Sequence, residues 1–219
     1  MMELISQTFT PFNIRYLLHG LRLTLLISVS VVLGSILFGT LLGLMRTYGN
    51  RVIEKIAAVY IEIFRNTPLL LWMLGCAFLI PFSTLTIKGS FALFLYTSAI
   101  VGEIVRGGLN SISKGQWEAA HSQGFNFAQT LRYVILPQTF QKIIPSLLSQ
   151  VITTIKDTSF LAGLGIVELT RSGQVILGRA TTSTEVFIIY AFLALVYFIV
   201  CFSLSVVVRH WEKKNRAHF

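Results

Sequence analysis

The chain has 219 residues and a formal net charge of +9, with 54% of its residues hydrophobic and only 12% charged. A soluble domain carries about a quarter charged residues, so this sequence has too little polar surface to stay in water, and a bilayer is the solvent that accepts the excess. The positive charge does not point to nucleic acid, because the basic residues sit between long apolar runs rather than on one polar face.

The opening segment, MMELISQTFTPFNIRYLLHG, lacks a basic stretch followed by a small-residue cleavage site, so no removable leader is expected. The first span is expected over 17–45, where Leu23 to Met45 gives 23 residues without a charge. At about 1.5 Å per residue that run covers roughly 34 Å, enough for a hydrocarbon core of about 30 Å. Gly34, Gly39 and Gly43 within it suit close helix approach or pairing between subunits.

Three less regular apolar segments follow. The second span, 56–82, is interrupted by Glu62, Arg65 and Pro68; the third, 90–109, carries Glu103 and Arg106 near its end. After a polar connection, the fourth span, 140–164, contains Pro145 and the adjacent Lys156 and Asp157. Charges inside a span are expensive and face the bundle interior or a wet cavity. A spacing of three brings two side chains together on a helix, which allows Glu62 to clamp Arg65 and Glu103 to pair with Arg106. The fifth span, 186–208, again holds 23 uncharged residues from Val186 to Val208. The expectation is a single all-α integral membrane domain of about five transmembrane helices.

With five spans the loops alternate sides, and their basic residues fix the orientation. Arg46, Arg51, Lys55, Arg106, Lys114, Arg132, Lys142, Arg209, Lys213, Lys214 and Arg216 fall on one side, eleven in all. Arg15, Arg22, Lys88, Arg171 and Arg179 make five on the other. Cytoplasmic loops are richer in Lys and Arg, so the N-terminus is expected outside and the C-terminus inside.

The same layout puts the longest polar connection, 110–139, in the cytoplasm. Ser113 and Gln116 are spaced for a capping box, Trp117, Ala119 and Ala120 suit a short helix, and Gly124 is placed to end it in a left-handed turn. Asn126 and Gln129 are spaced to cap a second short helix, which Pro137 is expected to stop. Two short helices meeting at a glycine make a compact knob.

The knob also carries a family pattern. Glu118-Ala119-Ala120, then Gly124, then Val134-Ile135-Leu136-Pro137 resembles the EAA loop of ABC importer permeases, with Val134 where that family has Ile. From about residue 15 to 212 the chain resembles the polar amino acid branch, through Glu62-Ile63-Phe64-Arg65-Asn66-Thr67-Pro68-Leu69, Glu103-Ile104-Val105-Arg106-Gly107-Gly108, Ile155-Lys156-Asp157-Thr158-Ser159-Phe160 and Glu168-Leu169-Thr170. Glutamine-type permeases are the nearest likeness, through Arg132-Tyr133-Val134-Ile135-Leu136-Pro137 and the KDTS stretch; permeases for glutamate or basic amino acids share most of these features.

The resemblance implies a type I importer transmembrane fold in a bacterial inner membrane. It implies two permease chains, alike or related, on two ATPase subunits, with an extracytoplasmic amino-acid-binding protein delivering cargo. Glu118, Ala119, Ala120, Gly124, Leu136 and Pro137 would then couple the permease to the ATPase. Glu118 is expected in the first turn of its helix, where a carboxylate favours the positive dipole end. The residues agree on one point independently, since no G-x-x-x-x-G-K-[ST] phosphate loop occurs. The chain is therefore expected to be no enzyme and to bind no cofactor, with ATP and magnesium on the partner.

A free amino acid is a zwitterion, and helices broken in the membrane offer partial charges and unpaired backbone groups to it. Candidate breaks lie at Asn66-Thr67-Pro68 and around Lys156-Asp157-Thr158-Ser159. Asp157 is the first choice for a substrate-facing carboxylate and Glu62 the second, with Thr67 and Ser159 on the same path. Arg65, Glu103 and Arg106 are read as structural ion-pair residues. Cys76 and Cys201 each stand alone in apolar stretches and read as free thiols, and His19, His121, His210 and His218 show no metal-ligand spacing. The alternative is an ATP-independent small-solute transporter or channel subunit, which explains the spans and buried charges but not a glycine-hinged knob at EAA spacing.

Overall fold

The structure is a computed structural model that describes residues 4, 6, 8–81, 83–178, 180 and 182–215. Phe82, Arg179 and Arg216, which the span and charge assignments above include, lie outside the described residues. The 38-residue helix α1 (Pro11–Tyr48) opens with a proline at a position where its missing N–H costs nothing and holds no other. Asn50 starts α2 (Arg51–Arg65), its side-chain oxygen accepting from the amides of Val52 and Ile53. α2 is amphipathic and buries Ala57, Ile61 and Phe64.

The expected second span is not one helix. α2 stops at Arg65, Asn66 to Pro68 are irregular, and α3 (Leu69–Leu79) resumes for 11 residues. At 1.5 Å per residue α3 reaches only about 16 Å, half a hydrocarbon core. Pro68 has no amide to donate and biases Thr67 away from helical geometry.

α4 (Leu85–Asn110) is followed by the short α5 (Lys114–Ser122) and α6 (Phe127–Thr130), a π turn over Leu131–Ile135, and α7 (Leu136–Asp157). A 3₁₀ segment, Thr158–Leu164, leads to α8 (Leu169–Leu177) and the long α9 (Ser183–Asn215). Among the described residues there is no strand. Pro11–Tyr48, Leu85–Asn110 and Ser183–His210 are long and apolar enough to cross a membrane; the pair Phe127–Leu164 and Leu169–Leu177, bent by 44°, makes a fourth if taken as one span. Leu26, Leu33 and Leu37 on α1, with Phe187, Leu195 and Phe198 on α9, keep large apolar surface exposed, as a chain solvated by lipid does.

The chain divides into two compact units, Met1–Val32, Leu69–Leu93 and Val151–Phe219 in the first, Leu33–Pro68 and Phe94–Gln150 in the second. The second unit is built on a buried cluster of Val101, Val105, Leu109, Ile112, Ile135, Ile143 and Leu147. Gly39 and Gly43 serve that core: a Cβ on either would come within 2.8 Å of Val101 or Val105, so α1 approaches α4 more closely than alanine would allow. These two glycines of the first span thus have an intrachain use. The first unit packs Leu17, Leu169, Ile176, Ile189 and Leu193 together. Cys76 and Cys201 are free and half-buried.

Candidate functional site

The connection 110–139 folds as a knob with its own local logic. α5 ends in a nested pair of backbone bonds, Gly124 N–H to the His121 carbonyl at 2.9 Å and Phe125 N–H to the Ala120 carbonyl at 3.1 Å. That closure needs a left-handed residue, and Gly124 supplies it with φ +84°. Among the described residues, none beyond its two chain neighbours has an atom within 4 Å of where a Cβ would sit, so the glycine answers the turn and not crowding from them. Asn126 and Gln129 form the expected capping box, each side chain accepting from the other's backbone amide at 2.9 Å.

Three expectations for the knob change. Ser113 precedes α5 but makes no side-chain cap bond; Gln116, which would complete the box, instead accepts from Gln138 at 3.0 Å. Glu118 is the fifth residue of α5, beyond its first turn, and points outward with Ala119, while Ala120 is buried. Pro137 does not stop the second helix. The chain stays helical from Phe127 to Asp157 because the π turn carries it past the proline: the Leu136 amide reaches back five residues to Leu131, which removes the usual clash of a helical proline with the carbonyl four residues earlier. Leu136 is half-buried against the second unit's core, and Pro137 is exposed.

The knob is tied down by polar bonds as well. Besides Gln116 to Gln138, the Lys142 ammonium donates to the Ser111 carbonyl at 3.1 Å, joining α7 to the end of α4.

Arg65, Glu103 and Arg106 do meet, and Arg46, which the sequence left in a loop, joins them. Arg46 donates to Glu62 at 3.1 Å and to Glu103 at 2.9 Å. Arg106 holds Glu103 with two bonds, 3.0 and 2.6 Å, and Arg65 approaches it at 3.7 Å. Three arginines thus converge on one carboxylate. The expected Glu62–Arg65 clamp is absent, since each partner finds a better-placed charge on another helix. At the adjoining break, the Asn66 side-chain amide donates to the Glu62 carbonyl (2.8 Å) and the Thr67 hydroxyl to the Ile63 carbonyl (2.6 Å), so the free end of α2 is capped by side chains.

The second break lies in the first unit. α7 ends at Asp157, the 3₁₀ segment ends at Gly165 with φ +78°, and α8 starts after Glu168. Asp157 is half-buried and, among the described residues, no hydrogen bond or salt bridge holds its carboxylate; Lys156 beside it is exposed and Ser159 half-buried. Glu168 is the opposite case, fully buried and fully used. Its oxygens accept from the amides of Thr170 (2.9 Å) and Arg171 (2.8 Å), the Tyr197 hydroxyl (3.0 Å) and the Thr24 hydroxyl (3.3 Å). Sequence reasoning gave Glu168 no role. An acidic residue just before a helical pattern was the available signal, and Thr24, 144 residues away, was not.

A family model described as binding-protein-dependent transport system inner membrane component matches residues 35–217. The chain is 35% identical over 211 residues to the "Probable glutamine ABC transporter permease protein" of Bacillus subtilis, covering 94% of this chain and 97% of that one. It is 31% identical over 215 residues to the glutamate/aspartate import permease protein of Escherichia coli O6:H1, covering 93% and 95%. A crystal structure of an amino acid ABC transporter with histidines matches with a TM-score of 0.83 at 30% identity, over 91% of this chain and 94% of that one.

Proposed function

The chain belongs to the family of binding-protein-dependent transport system inner membrane components, and from that premise we propose how it works as a multi-pass permease subunit of a polar amino acid importer. The knob faces the cytoplasm and docks on an ATPase subunit, with Glu118 and Ala119 presented outward and Gly124 fixing the turn beside them. Leu136 and Pro137 anchor the knob to α7. Two permease chains stand on two ATPase subunits, which hold the ATP and magnesium; this chain binds no cofactor. An extracytoplasmic binding protein delivers the amino acid, with glutamine the favoured cargo.

Five crossings result if α2 and α3 form one broken span and the run through α7 and α8 another. The breaks at Asn66–Pro68 and Asp157–Glu168 then offer partial charges to a zwitterion. Asp157 is the carboxylate with capacity to spare: its neighbour Glu168 is saturated, and Glu62 already receives Arg46. Ser159 and Thr67 contribute hydroxyl oxygens to the same path.

The observation that carries this reading is the knob itself, a locally closed turn with an outward Glu118 in a chain of this family. The test is purification of the tagged chain from native membranes in mild detergent, followed by uptake of glutamine, glutamate and arginine in proteoliposomes. We expect an ATPase subunit to co-elute, and to be lost when Glu118 and Gly124 are both changed. In the same assay Asp157→Asn should keep the ATPase but lose uptake. A chain that never brings an ATPase with it sinks the docking role, and normal uptake by Asp157→Asn removes that residue from the path.

A further inference from the structure

A docked knob is useful only if its displacement reaches the spans. α5 is joined covalently to α4 through Ser111 to Ser113, and α6 runs on into α7, but α1 ends 69 residues before Trp117 and has no such link. The contact is made by three aromatic rings. Trp117 of α5 and Phe127 of α6 stack across the Gly124 turn, with centroids 5.5 Å apart and planes 22° from parallel. Tyr48, the last residue of α1, meets both edge-on, at 5.6 Å from Trp117 (61°) and 5.5 Å from Phe127 (79°). Each pair lies in the spacing and tilt that aromatic quadrupoles favour.

The position of Tyr48 gives the triangle its reach. Gly49 and Asn50 follow it and α2 starts at Arg51, so the ring sits at the corner where α1 becomes α2. Two residues back, Arg46 bridges Glu62 of α2 and Glu103 of α4. Glu62 in turn stands at the end of α2, where Asn66 and Thr67 cap the break. Tyr48 and Trp117 also pack on the same buried cluster that receives α4 and α7. The rings are therefore backed by a close-packed interior, which transmits displacement instead of absorbing it.

We propose that the Tyr48–Trp117–Phe127 triangle is the contact through which the knob moves the α1–α2 corner, with Trp117 as a positioning residue for coupling. The proposal rests on the reading of 110–139 as the ATPase-docking element. Removing the Trp117 ring leaves the docking face, which is built from Glu118, Ala119 and Gly124, but lets the knob move without α1. ATP is then hydrolysed with less transport.

The experiment uses the purified permease–ATPase complex in proteoliposomes with the binding protein and radiolabelled glutamine, and measures co-elution, ATP hydrolysis and uptake together. For Trp117→Ala, the ATPase should co-elute and hydrolyse ATP while glutamine taken up per ATP falls about fivefold, within the range that mutations along a coupling network produce. Trp117→Phe, which keeps a ring in place, should restore most of the ratio. An unchanged ratio in Trp117→Ala overturns the proposal. If that variant fails to assemble, Tyr48→Leu decides, since it leaves the knob intact and must lower the ratio in the same way; a normal ratio there overturns the proposal too. Absence of an ATPase from the unsubstituted complex is a separate failure, which removes the docking reading and the triangle's role with it.

Discussion

Both carboxylate oxygens of Glu168 are committed to donors, two backbone amides at the start of α8 and two hydroxyls from α1 and α9. That asymmetry makes glutamine a poor substitute despite its equal size. Whichever way the amide is turned, its NH₂ faces a backbone N–H that can only donate, that of Arg171 on one side or that of Thr170 on the other. Leaving a buried donor unsatisfied costs roughly 1–3 kcal/mol, and α8 also loses part of its cap. We therefore expect Glu168→Gln to lower the melting temperature of the detergent-purified protein, read by loss of monodisperse material on heating. Glu118→Gln, on an exposed carboxylate with no such donors, should leave it unchanged. Equal melting of the two variants would mean that the four bonds contribute no net stability. The distance of Thr24 and Tyr197 from Glu168 in the chain is also why this residue stayed invisible to sequence reasoning. Spacing rules see the partners on one helix and not those supplied by two others.

The same distinction separates the element features that were legible from those that were not. The Asn126–Gln129 box, the left-handed Gly124 and the two helix breaks depend on residues within a few positions of one another, and local chemistry settled them. The Ser113–Gln116 box and the Glu62–Arg65 clamp were equally local on paper. Each lost a partner to a residue brought close by packing, Gln138 in the first case and Arg46 in the second. Pro137 failed as a stop because a π turn, which no simple spacing rule anticipates, absorbed it. Gly124 offers a test of the element as a unit. With open space around its Cβ position, the cost of Gly124→Ala is the left-handed backbone alone, roughly 1–2 kcal/mol. Asparagine tolerates that conformation better, so Gly124→Asn should retain more co-eluting ATPase than Gly124→Ala although its side chain is larger. The opposite order would mean that the glycine is there for a partner's close approach.

For the whole molecule, the number of crossings and the orientation follow from different evidence and meet in one measurement. Apolar length gives three helices, with a fourth from the bent run through α7 and α8, and α2–α3 holds too many charges and too short an apolar helix to count by itself. The eleven-to-five division of basic residues between alternate loops, and the direction read from it, assumes five crossings. An odd count puts the two ends of the chain on opposite faces, whereas four crossings put them on the same face. In a background with Cys76 and Cys201 changed to serine, single cysteines at Phe12, Ser122 and Arg209, all exposed positions, can be labelled with a membrane-impermeant maleimide. We expect Phe12→Cys to react on intact cells, and Ser122→Cys and Arg209→Cys to react only after permeabilisation. Reaction of Phe12→Cys and Arg209→Cys under the same condition would mean that α2 and α3 dip into the bilayer and return. The break at Pro68 would then be the tip of a re-entrant hairpin, with Glu62 and Arg65 on a returning segment while Glu103 stays on α4.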